Sequence, residues 1–390
     1  MATITTPSAR YLTWTAYAIS ACEGYLVYAI GFITPYVQHD LAVPPWVAAL
    51  PSSAAAVGIM VGSAASTRLN AWAGPRVGIR TWSLVMAASG LLLAVPVSIV
   101  TILVGAFLFG MSLGGVLVHI NSSLGTGPHG GTLLMRSNLW SMAGGLVGPL
   151  VLAAAASSVG WWLGPLVPVP LLLVLAFVMP ASPARDHPDT VADSAAPLPF
   201  AYWLSWAYLT LAIAVEFSFV AWGAQVVTAR TGIDAVAATG LASLFVAGMA
   251  AGRLVLSVGR RSMARQVTIL RALTGLAFAG AAVTWLAPVP GIAAAGFFIG
   301  GLGVSGAYPL AASLALAHAP QAPVRASARL SAASGVAIFF APLAIGVVVG
   351  LLGIVDAWVA VLAALVAALV VLLRVPVPAA PVDHADLIEA

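Results

Sequence analysis

The chain has 390 residues, of which 62% are hydrophobic and only 7% charged, with a mean hydropathy of +1.06. A water-soluble domain carries about a quarter charged residues, so this chain cannot coat a water-facing surface. All 15 basic residues are arginine, set against 11 acidic residues, and they fall in short loops and at helix ends rather than in one patch. That spread excludes nucleic-acid binding as the meaning of the net charge of +4.

Apolar runs broken by Pro, Gly or Arg clusters predict an all-α membrane protein of twelve spanning helices, each near the ~20 residues that cross a hydrocarbon core. In chain order they fall near 12–37, 46–69, 79–97, 100–122, 131–157 and 159–179, then 200–227, 235–258, 267–287, 291–317, 324–350 and 354–374. The first run carries Glu23 and is longer than the apolar core of a signal peptide, about 7–15 residues, so it is expected to be a retained span. Residues 181–199 are Pro-rich, hold Asp186, Asp189 and Asp193, and read as a solvated linker; residues 375–390 read as a polar tail. The expected organisation is a six-helix bundle at 1–180, the linker, and a second six-helix bundle at 200–374. With the N-terminus in the cytoplasm, every arginine but Arg230 falls on or near the cytoplasmic side, which predicts that both termini face inward.

The halves repeat in detail. GAFLFGMSLGGVLVHINSSL (105–124) aligns with AGFFIGGLGVSGAYPLAASL (295–314) at an offset of 190. Arg136 and Gly148-Pro149-Leu150 align with Arg329 and Ala341-Pro342-Leu343 at an offset of 193, and at that same offset Glu23 aligns with Glu216. Repeat-built transporters place their substrate site between the repeats, near the bilayer midplane.

Glu23 and Glu216 are the carboxylates expected deep inside spans. An ionised carboxylate there costs about 3 kcal/mol on insertion scales, and such residues serve proton relays and substrate pathways. They are candidates for proton coupling or substrate attraction; the plainer reading is a pair of acids that only lock helices together. Tyr28 near Glu23, and Phe219 and Trp222 near Glu216, are candidate cavity-lining aromatics, although aromatics in membrane helices more commonly pack against neighbours. His119 and Asn121 in the fourth helix suit a proton relay or a substrate contact, or plain hydrogen bonding, and Tyr308 occupies the neighbouring part of the tenth helix. Arg136 and Arg329 lie close to the start of their helices, where each is either an interfacial anchor or the ion-pair partner of the glutamate in its half. Cys22 is the only cysteine, and no phosphate-binding loop, zinc spacing or nucleophile–base pair is present, so no cofactor, metal or catalytic residue is expected.

The pattern resembles the major facilitator superfamily of secondary transporters over nearly the whole chain. Gly62, Arg68, Gly74 and Arg76 are similar to the family's gating-loop motif after the second helix, without its Asp. Gly252-Arg253 and Gly259-Arg260-Arg261 give a second copy. Gly144-xxx-Gly148-Pro149 is similar to the core of the antiporter motif of family exporters. The resemblance implies a cavity lined by helices one, four, seven and ten, and hence by Glu23, His119, Glu216 and Tyr308. It further implies a monomer in a bacterial inner membrane that moves a small molecule by alternating access, with protons as the coupling partner. Export by antiport, import by symport and a non-transporting receptor remain the three functional readings, in that order.

Overall fold

The computed structural model describes residues 7–73, 75–124, 130–178, 197–257 and 262–378, and among these every regular element is helical. Most of the expected linker and tail, with Gly74, Arg185, Gly259, Arg260 and Arg261, lie outside the described residues, as do the side chains of Arg76 and Asn121.

Each expected span coincides with a helix or a broken pair of helices. The first is α1 (Pro7–Phe32) with α2 (Thr34–Asp40), and the second α3 (Pro45–Ala48) with α4 (Leu50–Ala73). Then come α5 (Pro75–Leu93), α6 (Ile99–Leu124) and α7 (Gly130–Ser158), and a tight turn at Trp161–Leu166 running into α8 (Val169–Val178). The second half holds α9 (Phe200–Thr231), α10 (Ala235–Leu256), α11 (Met263–Leu286), α12 (Pro290–Val304) with α13 (Ala307–Ala317), α14 (Pro323–Leu352), and α15 (Ile354–Ala357) with α16 (Val359–Arg374). Ten helical segments are long and apolar enough to cross a membrane, and the pair α1–α2, bent by 47°, makes eleven. The remaining expected span, α5, has a shorter apolar stretch, Val77–Leu93.

Local chemistry sets the ends. Prolines 45, 290 and 323 begin their helices, where the missing N–H has no partner to lose. Asp234 caps α10 by accepting from the Ala237 N–H at 2.8 Å, and Gly232, with φ 74°, closes α9 in the left-handed conformation that glycine adopts freely. The bend between α1 and α2 follows from Pro35, which cannot donate to the carbonyl of Gly31 four residues back; Thr34 Oγ1 donates to it instead at 3.2 Å.

The same helix pairings recur in both halves. α1 packs on α7 as α9 packs on α14, α4 on α6 as α10 on α12, and α5 on α8 as α11 on α16. Glycines let the backbones meet. Gly58 and Gly62 of α4 lie against the backbone of α6, and Gly248 of α10, 190 residues after Gly58, lies against the backbone of α12. Arginines repeat as well. Arg80 Nη2 donates to Phe177 O at the end of α8 (3.3 Å), and Arg271 Nη2 to Leu372 O at the end of α16 (3.4 Å), so each caps a terminal carbonyl. The halves meet along two seams, α7 with α10 and α4 with α14, and α1 touches α9 between them.

Candidate functional site

Glu216 falls at the centre of α9, and Glu23 at the middle of the Pro7–Asp40 run, so both carboxylates sit deep in the helical bundle. Their surroundings differ. Tyr28, on α1, crosses the boundary between the halves: its hydroxyl donates to Glu216 Oε1 at 3.2 Å and lies 3.6 Å from Met249 Sδ on α10. The Tyr28 ring reaches that far because Gly145 on α7 leaves room for it; a Cβ there would collide with the Cδ2–Cε2 edge of the ring. Arg253 follows Met249 by one turn on α10 and forms no ion pair with Glu216 among the described residues. The cluster therefore draws on α1 and α7 from one half and on α9 and α10 from the other.

Glu23 is only 7% exposed and accepts no hydrogen bond from the described residues. The nearby polar contact on α1 is one turn away, where Ser20 Oγ meets Ser137 Oγ of α7 at 2.6 Å. The repeat explains the asymmetry: at the offset of 193 the counterpart of Tyr28 is Ala221, so no tyrosine from α9 reaches Glu23.

Other expected site residues are placed elsewhere. Phe219 is sealed inside the second half, stacked on Phe245 (4.8 Å) and edge-on to Trp358 (5.0 Å), and it lines no cavity between the halves. Trp222 is equally buried and donates to Pro342 O at 2.9 Å. No aromatic cage forms around Glu216, because packing within the bundle claims both rings. His119 is 1% exposed, one turn beyond Gly115, whose missing Cβ makes room for Trp82. Its helix face is thus the one that packs on α5. Tyr308 is partly exposed, at 44%. Arg329 lies over the Trp203 ring at 5.1 Å, and Arg136 sits beside the Tyr17 phenol; neither forms an ion pair with the glutamate of its half. Gly62, Arg68, Gly252 and Arg253 are not loop residues but parts of α4 and α10, whose ends at Ala73 and Leu256 fall after these positions. Gly144 and Gly148 of the antiporter-like motif press on the α1 backbone at Ala21 and Tyr25.

Sequence reasoning did not anticipate the contacts that join the halves beyond Tyr28. Tyr36 donates to Thr239 Oγ1 (3.0 Å), Gln225 Nε2 to Gln38 Oε1 (3.3 Å) and Ser53 Oγ to Phe339 O (2.7 Å). The first two lie at the ends of α2, α9 and α10 remote from most of the arginines, and Ser53 is in the first turn of α4. A further unforeseen contact, Arg253 Nε to Ser305 O at 3.3 Å, had a signal in the sequence: Pro309, four residues after Ser305.

Two seams between like-built halves, with an acid bridged across the contact of α1 and α9, are the arrangement in which repeat-built membrane folds place a site between their repeats. Solved structures bear out the fold expected from the sequence, that of major facilitator superfamily transporters. A bacterial homologue of the human lysosomal transporter Spinster, in an inward-facing and occupied conformation, is 12% identical, with 95% of this chain and 97% of that one covered, at a TM-score of 0.71. The nucleoside transporter NupG, solved as a point mutant, is 11% identical over 93% of this chain and 99% of that one, at 0.74. The inward-facing, unoccupied Spinster homologue is 14% identical over 95% and 96%, at 0.66. Neither a protein-family model nor a curated protein sequence matches the chain.

Proposed function

We propose that this protein is a proton-coupled secondary transporter of a small organic solute, working as an exporter by antiport. The hydrogen bond from Tyr28 to Glu216 carries the reading, because it ties the protonation of one intramembrane acid to contact between the halves. An ionised carboxylate accepts a hydrogen bond roughly twice as strong as a neutral one does. Ionised Glu216 therefore favours the arrangement with α1 against α9, and protonation weakens that contact and lets the halves rock. Substrate competes for the same carboxylate, and Glu23 offers a second, unpartnered acid for a proton. Export rests on the antiporter-like Gly144-xxx-Gly148-Pro149 of α7. The arginine asymmetry supports an inner-membrane orientation with both termini in the cytoplasm, and the fold supports a monomer.

Proteoliposomes with a lumenal pH dye test the proposal. Screening nucleosides, amino acids and lipophilic cations under an imposed pH gradient identifies a solute that drives proton flux. The flux is expected to fall at least tenfold in Glu216→Gln and to vanish in the Glu23→Gln/Glu216→Gln double variant. Undiminished flux in both single variants and the double variant overturns proton coupling at these acids. Solute flux in the same direction as the protons overturns antiport.

A further inference from the structure

The tenth span reads as one apolar run but is broken at Ser305–Gly306, where α12 ends and α13 begins. Pro309 accounts for the break. Within a helix it has no N–H for the carbonyl four residues earlier, which belongs to Ser305. A buried carbonyl without a donor is costly, and side chains of neighbouring helices commonly supply one at such breaks. Here the donor is Arg253 Nε, at 3.3 Å. The Ser305 hydroxyl is already committed to Leu302 O at 2.7 Å, and Ser305 is wholly buried. Gly252 brings α10 close enough for this contact, since a Cβ there would collide with the Ser305 side chain.

Arg253 thus stands between two acceptors. One is the Ser305 carbonyl. The other is Glu216, which the Tyr28 hydroxyl holds beside Met249, one turn before Arg253 on α10. We propose that Arg253 is a positioning residue that couples Glu216 to the bend of the tenth span. While Tyr28 holds Glu216, the guanidinium stays on Ser305 O and the break keeps its form. Once the halves have parted, Tyr28 has withdrawn and Glu216 has given up its proton, the ionised carboxylate draws Arg253 away, Ser305 O loses its donor, and the break rearranges. Tyr308, three residues beyond Ser305 and partly exposed, moves with it. This inference rests on Glu216 being the working carboxylate of the proposed transporter.

Two measurements on purified full-length protein in detergent, without substrate, test it. In the first, Arg253→Met is expected to melt several degrees below wild type, and Arg253→Met/Pro309→Ala to recover most of that loss, because alanine restores the N–H that Ser305 O lacks. No recovery overturns the assignment of Arg253 to the break. In the second, spin labels at Ile292→Cys and Ala317→Cys, in a Cys22→Ser background, report the distance across the break. Glu216→Gln is expected to narrow the distance distribution in the wild-type frame and to leave it unchanged in Arg253→Met/Pro309→Ala. An unresponsive distribution in the wild-type frame, or a response that persists without Arg253, overturns the coupling. Proton flux in liposomes is scored separately, so a failed transport reading and a failed coupling are told apart.

Discussion

Replacing Gly62 by alanine tests the backbone-to-backbone packing on which each half is built. The new Cβ would lie 2.6 Å from Met111 C and 2.7 Å from Met111 Cα, and closer still to Met111 O, where ordinary contact begins at 3.4 Å. To regain that distance from Met111 C alone (3.4 less 2.6), α4 and α6 must part by about 0.8 Å. Backbone atoms cannot swing aside as a side-chain tip can. A gap of 0.5–1 Å forfeits roughly a quarter to a half of each dispersion contact along the seam, and overpacking of this kind costs about 1–3 kcal/mol. Alanine recovers up to about 1 kcal/mol in helix propensity, so the net expectation is a loss of roughly 1–2 kcal/mol. Gly275 on α11 supplies the control: a Cβ there meets nothing within 4 Å, so Gly275→Ala should be neutral or stabilising. The single cysteine provides the assay. Cys22 is 4% exposed, so a thiol-reactive dye reports its release as the bundle melts in detergent. Gly62→Ala should melt below wild type and Gly275→Ala at or above it. If Gly62→Ala melts with or above Gly275→Ala, the close approach of α4 and α6 is not what holds the half together.

The contacts remote from the arginines should act as a clasp. Tyr36→Phe with Ser53→Ala removes two hydrogen bonds between the halves, worth about 0.5–1.5 kcal/mol each, and so shifts opening by roughly 5- to 150-fold. A membrane-impermeant thiol reagent should then label Val220→Cys, buried against Gly31, correspondingly faster in a Cys22→Ser background, and an unchanged rate would count against the clasp. His318, just past α13, has its pKa lowered from 6.5 by burial, opposed by the carbonyls of Pro376 and Leu314. A neutral histidine favoured by the fold contributes stability that is present above the unfolded pKa and lost as pH falls below it. Melting should therefore drop between pH 7.5 and 5.5 by less in His318→Gln than in wild type; an equal drop in both proteins would remove His318 as its source.

The class of protein, the span positions and the two central acids were legible in the sequence. Each rests on a property of single residues or short runs: apolar length, proline and glycine breaks, and two carboxylates at one repeat offset. The same repeat misleads about environment. It makes Glu23 and Glu216 equivalents, whereas Tyr28 reaches one of them and Ala221, its counterpart, cannot reach the other. Phe219 lies within a turn of Glu216 in sequence, yet its ring turns to Phe245 and Trp358, because buried aromatic area goes where neighbouring helices complete it.

By itself, then, the sequence determined that this is a helical, membrane-spanning protein, where its apolar helices fall, and that Glu23 and Glu216 lie far from the ends of their helical runs. Those follow from composition, hydropathy and spacing along one helix at a time. Only the tertiary structure decided that Glu216 is met by Tyr28 from the opposite half, and that Arg253 answers the carbonyl Pro309 leaves open. Such pairings depend on how helices far apart in sequence approach, which is set by where glycines let two backbones touch.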